Sequence, residues 1–237
     1  MARTIKVREV WQFNLEDEFL LIKKVLHSYP YASMDTEFPG VIYDHPQLHY
    51  SSLSPTESYS IMKKNVDAME LIQLGLALSD AEGNLPDFGT EYCYVWEFNF
   101  RELMQSGLSL APTWVDKNRT WVTFHSTYDF GFLIKILSQR ELPDDLSEFT
   151  GLVRMYFAVK EFDMKQMMGF FGLHGGLERM AKSLNVERMA GKSHQAGSDS
   201  LLTIQAFMEL KKVYFSGPTM ELLNEFNYIL HGLATVY

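Results

Sequence analysis

An α/β layer fold, a mixed sheet flanked by helices, is what this sequence predicts on three observations. Residues 31–38, 71–79 and 92–100 read as strands, the last two through alternating apolar positions. Residues 121–124 form a short apolar stretch of the kind buried in the middle of a sheet. Apolar residues then recur at helical spacing directly after it and again through the second half of the chain.

Taken in order, the basic and mixed residues 1–10 lead into a helix over 15–26, where Phe19, Ile22 and Leu26 share a face. Residues 28–30 end it ahead of the strand 31–38. In 71–79, Ile72, Leu74, Leu76 and Leu78 lie on one face, and Gly83-Asn84 supplies the turn. Tyr92, Tyr94, Trp96 and Phe98 then alternate along 92–100, so the three strands read as an antiparallel meander. Phe130, Leu133, Ile134 and Leu137 mark a helix after the strand 121–124. Further helices are expected at 164–170, 177–184 and 199–214, the last with Leu202, Ala206, Leu210 and Val213 as its apolar stripe. No repeat, no linker and no low-complexity stretch divides the chain, so one domain over 1–237 is expected.

Composition narrows the function. With 237 residues, 46% hydrophobic and 22% charged, the chain can bury a sizeable core, which argues against long disorder. The single cysteine, Cys93, cannot form an internal disulfide, and a reducing compartment such as cytosol or nucleus follows. No apolar leader core and no bilayer-length run are seen, so a soluble protein without a membrane role is expected. Lys+Arg number 21 against 30 Asp+Glu, a net charge of −9. Such acidity argues against a simple basic-patch nucleic-acid binder, unless bound divalent cations supply the positive charge.

Four acids and one histidine suggest that they do. Asp35 and Glu37 are two apart in a strand and project from one face, where paired carboxylates can hold hard cations such as Mg²⁺. They sit among Met34, Phe38 and Val41, and carboxylates buried in apolar surroundings need compensation. Asp129 follows the central strand 121–124, at the carboxyl end where open α/β sheets place ligands. By itself it also reads as a helix-capping or first-turn acid. Asp199 opens the last helix, with Ser198 the better cap and Asp199 left to face inward. His194, in the loop before it, has the residue type that accepts a proton near neutral pH. The four acids bring −4 and two divalent cations +4, and such a pair, roughly 4 Å apart, can clamp a phosphodiester in in-line displacement.

Three stretches carry a family resemblance. Met34-Asp35-Thr36-Glu37-Phe38-Pro39-Gly40, Phe124-His125-Ser126-Thr127-Tyr128-Asp129-Phe130-Gly131 and His194-Gln195-Ala196-Gly197-Ser198-Asp199 stand in the order found in the CAF/POP deadenylases. Arg8-Glu9-Val10-Trp11, Ile72-Gln73-Leu74-Gly75-Leu76 and Gly175-Gly176-Leu177 add to the likeness, which runs from about Arg8 to Phe215 and has a plant-like cast. That family is the catalytic arm of the CCR–NOT complex, in the DEDD exonuclease superfamily, histidine subtype. The resemblance implies a ribonuclease-H-like fold and removal of mRNA poly(A) tails from the 3′ end with release of 5′-AMP. It implies two Mg²⁺ or Mn²⁺ ions held by Asp35, Glu37, Asp129 and Asp199, with His194 as general base toward water. It also implies single-stranded RNA as substrate, a NOT scaffold and CCR-type nuclease subunits as partners, and residence in nucleus and cytoplasm. The family's Tyr-Asp-x-Lys element stands here as Phe162-Asp163-Met164-Lys165.

The chain departs from the family in two places. Thr127 replaces the usual glycine before Tyr-Asp, which would be costly if positive φ were required there. Residues 101–120 are shorter than the family's usual helical segment. These departures keep a second reading open, a catalytically weak paralogue that binds the NOT scaffold, and a third is an exonuclease preferring DNA or non-adenylate RNA. Other features read as structural. His45 and His49, broken by Pro46, are loop residues; Gly172, Gly175 and Gly176 form a turn into a helix; the 13 methionines are packing; and His125 is a core histidine.

Overall fold

The computed structural model describes residues 3–44, 52–100, 119–157 and 160–233. His45, His49 and the short stretch 101–118 lie outside the described residues. Six strands form one sheet: β1 (Thr4–Val10), β2 (Tyr31–Glu37), β3 (Gln73–Ser79), β4 (Tyr92–Asn99), β5 (Thr120–Thr123) and β6 (Lys160–Asp163), in the order β1-β4-β3-β2-β5-β6. The meander is present, since β2 pairs antiparallel with β3 and β3 with β4. β1 joins parallel to β4, and β2, β5 and β6 run parallel. The sheet is therefore mixed.

Helices α1 (Leu15–Val25), α2 (Pro55–Ala68), α3 (Thr127–Ser138) and α4 (Leu146–Phe157) cover one face. Leu15, Ile22, Tyr59, Met62, Phe130, Ile134 and Phe149 there meet Met34, Leu74, Leu76, Leu78 and Trp96 from the strands. Helices α5 (Met164–Met168), α6 (Leu177–Ser183) and α7 (Ala196–Tyr214) cover the other. Met164, Met167, Met180, Leu202, Leu210 and Phe207 pack there on Ala77, Val95, Val122 and Phe162. Sandwiched this way, β3 is apolar on both faces, so the alternation expected of it is incomplete, and Ile72 falls just outside it. Among the described residues, no helix is long and apolar enough to cross a membrane.

Among the described strands and α-helices, sequence patterning missed four. β1 alternates Ile5 and Val7 with Lys6 and Arg8, but its position on an edge strand leaves it half exposed. α2 carries Ser54 at the cap, Pro55 at the first helical position and Glu57 closing a capping box, a legible start signal. α4 places Phe149, Val153 and Phe157 on its buried face at helical spacing. β6 buries Glu161 and Asp163, which no local pattern predicts. Two assumed apolar positions are corrected as well: Val41 is 57% exposed and Val213 55%.

Candidate metal centre

β2 is interior to the sheet, between β3 and β5, and its residues alternate between the two helical layers. Ser33 faces α7, donating its hydroxyl to Ser200 O at 2.6 Å. Asp35 and Glu37, two and four residues on, therefore face α7 too. α7 approaches closely because β3 presents Gly75, where a Cβ would lie 1.8 Å from Ala196 O. That contact brings the first turn of α7, and Asp199 with it, against the carboxyl end of β2. Thr36, on the opposite face, donates its hydroxyl to Asp129 Oδ1 at 2.6 Å. Asp129 reaches it from the first turn of α3, which begins just after β5 ends. β5 runs parallel to β2, so both carboxyl ends open on the same side of the sheet.

The electrostatics record this convergence. Asp129 and Asp199 are each 7% exposed. Burial first, then the charges of Asp129, Asp199 and Glu37, hold the Asp35 carboxyl well above the usual range, with Arg188 opposing. Burial pushes Asp129 up to about 7 against the hydrogen bond from Thr36. Glu37 is raised by burial, by Asp199 and by a fifth acid, Glu97, while His194 opposes the shift. Glu37, His194 and Asp199 each offer one ligand atom, all within 4.8 Å of one another. Like charges gathered this closely are stable only when protonated or bound to cations. Hard carboxylate oxygens in this number fit Mg²⁺ or Mn²⁺.

The surroundings of Asp199 differ from the sequence expectation. The cap position of α7 is Gln195, and Ser198 lies inside the first turn. The Ser198 hydroxyl donates to Ala190 O at 2.5 Å and accepts from Arg188 Nη1 at 2.5 Å. Arg188 also donates through Nη2 to Asp199 Oδ1 at 2.5 Å and through Nε to Glu178 Oε1 at 2.7 Å. The His194 backbone N–H, on a residue with φ of 63°, donates to Asp199 Oδ2 at 2.9 Å. Each Asp199 oxygen is therefore oriented by one protein donor, and a carboxylate keeps further lone pairs for other partners. Sequence reading missed Arg188, because a loop arginine eleven residues before an acid carries no pattern. Glu97, which accepts Gly197 N–H at 3.0 Å and Gln73 Nε2 at 3.2 Å, looked like an ordinary strand acid.

Two further expectations are corrected. Thr127 is the first residue of α3, and the positive φ of this turn falls on His125, at 63°. The threonine therefore costs nothing in backbone strain, which removes one motive for reading the chain as a weakened paralogue. His125 is exposed, not a core residue, and its ring meets that of His231 edge to face, 5.0 Å between centroids. The glycine-rich stretch does turn into a helix, with Gly176 at the cap of α6.

Known proteins resemble this arrangement over its length. The protein-family signature described as CAF1 family ribonuclease matches residues 10–105. An Arabidopsis thaliana relative, probable CCR4-associated factor 1 homolog 10, is 39% identical over 99% of this chain and 96% of its own. The poly(A) ribonuclease pop2 of Schizosaccharomyces pombe is 36% identical over 97% of this chain and 75% of its own. Among solved structures, the Mg²⁺- and Mn²⁺-bound form of S. pombe Pop2p matches with a TM-score of 0.79 at 33% identity, over 96% of this chain and 99% of that one. A chain from the yeast NOT1 MIF4G domain co-crystallised with CAF1 matches with a TM-score of 0.74 at 28% identity, over 95% and 96%. The sheet and its two helical layers are thus those of the ribonuclease-H-like fold in these nucleases.

Proposed function

The chain belongs to the CAF1 family of ribonucleases, and from that membership we propose a poly(A)-specific 3′→5′ exoribonuclease that shortens mRNA tails and releases 5′-AMP. The observation that carries it is the convergence of Asp35, Glu37, Asp129 and Asp199, three of them with raised pKa, beside His194. These four carboxylates would hold two divalent cations, Mg²⁺ or Mn²⁺. Bound there, the cations would supply Lewis-acid stabilisation of the charge that develops during in-line displacement at a phosphodiester.

The chain's own residues do the rest. Thr36 and Arg188 orient Asp129 and Asp199 through one oxygen each. His194 stands on an exposed loop at the rim, where a ring nitrogen can take the proton of the attacking water. Arg188 adds +1 and Glu97 −1 to the pocket, so its sum with four ionised acids stays at −4 and two divalent cations neutralise it. Two relatives inform the assembly: one is named as a probable homolog of a CCR4-associated factor, and another is seen with a NOT1 domain. A NOT-type scaffold and a CCR-type nuclease are accordingly the partners we propose for this chain, and residence in nucleus and cytoplasm is proposed with them.

Purified protein is expected to shorten a 5′-labelled oligo(A) RNA from its 3′ end in Mg²⁺ or Mn²⁺. Asp35→Ala should abolish the ladder, and oligo(U) and single-stranded DNA should be degraded more slowly. A wild-type chain inert in both metals would refute the assignment.

A further inference from the structure

The turn that delivers Asp129 is gripped from outside the carboxylate pocket. Between the end of β5 at Thr123 and the start of α3 at Thr127, His125 adopts φ of 63°, a left-handed backbone that a residue with a side chain disfavours. Such a conformation persists only when its surroundings over-determine it. Asp163, fully buried at the end of β6, does so. Its Oδ1 accepts the N–H of His125 at 2.8 Å and of Lys165 at 3.0 Å. Its Oδ2 accepts the N–H of Ser126 at 3.3 Å and of His231 at 3.0 Å.

His231 comes from the far end of the chain and closes the grip on both sides. While its N–H is on Asp163, its carbonyl accepts the Thr127 hydroxyl at 2.8 Å. Its ring packs on that of His125, and its Nδ1 lies 3.2 Å from Gln166 Oε1. The segment reaching it is tied along β6, where Asn227 Oδ1 accepts Glu161 N–H at 2.8 Å and Tyr228 N–H donates to Glu161 O at 3.0 Å. Thr127, Ser126 and His125 are thereby held within four residues of Asp129. A glycine at 127 could not make this contact, so it is a feature of this chain's own sequence.

We propose that Asp163, Thr127 and His231 form a clamp that positions Asp129 for cation binding, with the C-terminal segment as its outer jaw. The proposal rests on the reading of Asp129 as a metal ligand. These are positioning residues, since none touches the reacting atoms. Outer partners that orient a ligand typically change metal affinity by about 10–100-fold when lost.

The test titrates Mn²⁺ into the intact chain by calorimetry, alongside oligo(A) shortening as a function of Mn²⁺ concentration. Thr127→Val keeps the shape and removes the hydroxyl; it should weaken Mn²⁺ binding about tenfold. Activity lost at limiting Mn²⁺ should return at saturation. Thr127→Ser should restore wild-type affinity, and Thr127→Ala, as a second test of the missing hydroxyl, should match Thr127→Val. A purely structural role would lower thermal stability and leave the Mn²⁺ affinity of the folded protein untouched. That result, in whichever of the Val and Ala variants folds, overturns the clamp while the metal centre stands. A wild-type chain that binds no Mn²⁺ overturns both readings together.

Discussion

At the scale of single residues, the acids of this chain are the main source of tension in the fold. Glu161 is fully buried; its Oε1 accepts the Thr123 hydroxyl at 3.0 Å, whereas Oε2 has no hydrogen-bond partner among the described residues. Burial first, and the neighbouring Asp163 second, hold its carboxyl well above the usual range. In the folded state it keeps its proton at pH values where the unfolded chain has released it. Folding stability must therefore fall as pH rises above the ordinary glutamate value and through the raised one. Asp35 and Asp129 contribute in the same direction, with Asp129 titrating at about 7. The melting temperature of the metal-free protein should decline from pH 5 to pH 8, and Glu161→Gln should flatten part of that decline. Superimposable melting profiles for the two proteins would show that Glu161 is ionised in the fold. The candidates Asp35, Glu37, Asp129, His194 and Asp199 could be picked out from short motifs, because the chemistry proposed for them restricts residue type and local spacing. The roles of Thr36 and Asp163 could not, since Thr36 meets an acid 93 positions on and Asp163 a turn 38 positions back, and Arg188, eleven residues before Asp199, sits in a loop without a pattern.

At the scale of elements, the carboxyl end of β2 works because three segments reach it: the first turn of α7, the first turn of α3 and the loop before α7. The tightest fit is between α7 and β3 at Gly75. Gly75→Ala would drive a methyl group into the Ala196 carbonyl, and the helix would have to lift off the sheet. Overpacking of this kind costs about 1–3 kcal/mol. Displacing Asp199 should reduce activity by more than the loss of folded protein explains, which activity normalised to the folded fraction at 25 °C can measure. Unchanged normalised activity would mean that Asp199 tolerates the shift. The meander and α7 were readable because their apolar periodicity answers to burial on a definite face. α2 and α4 carried a capping box and a helical apolar face that went unread. β6 could not be read at all: Glu161 and Asp163 are buried only because Thr123, His125, Ser126 and the C-terminal segment receive them.

For the whole molecule, an acidic chain that acts on a polyanion has to solve its own repulsion. With a net charge of −9, the protein should bind oligo(A) only when divalent cations occupy the carboxylate pocket. Fluorescence anisotropy with a labelled oligo(A) and the His194→Ala variant, which keeps all four carboxylates, compared in Mn²⁺ and in EDTA, measures this without turnover. Equal affinity in the two conditions would place the RNA on some other surface. The sequence by itself determined the α/β class, the order of most elements, and which acids and which histidine to watch, because hydrophobic period and motif spacing are local quantities. Only the tertiary structure decided that β2 lies between β3 and β5, that α7 presses onto Gly75, and that the chain's far end grips the turn before Asp129. Those outcomes depend on contacts between residues far apart in sequence, such as Thr127 with His231, 104 positions on, and Gly75 with Ala196, where burial and hydrogen bonding select one arrangement that no short window of sequence contains.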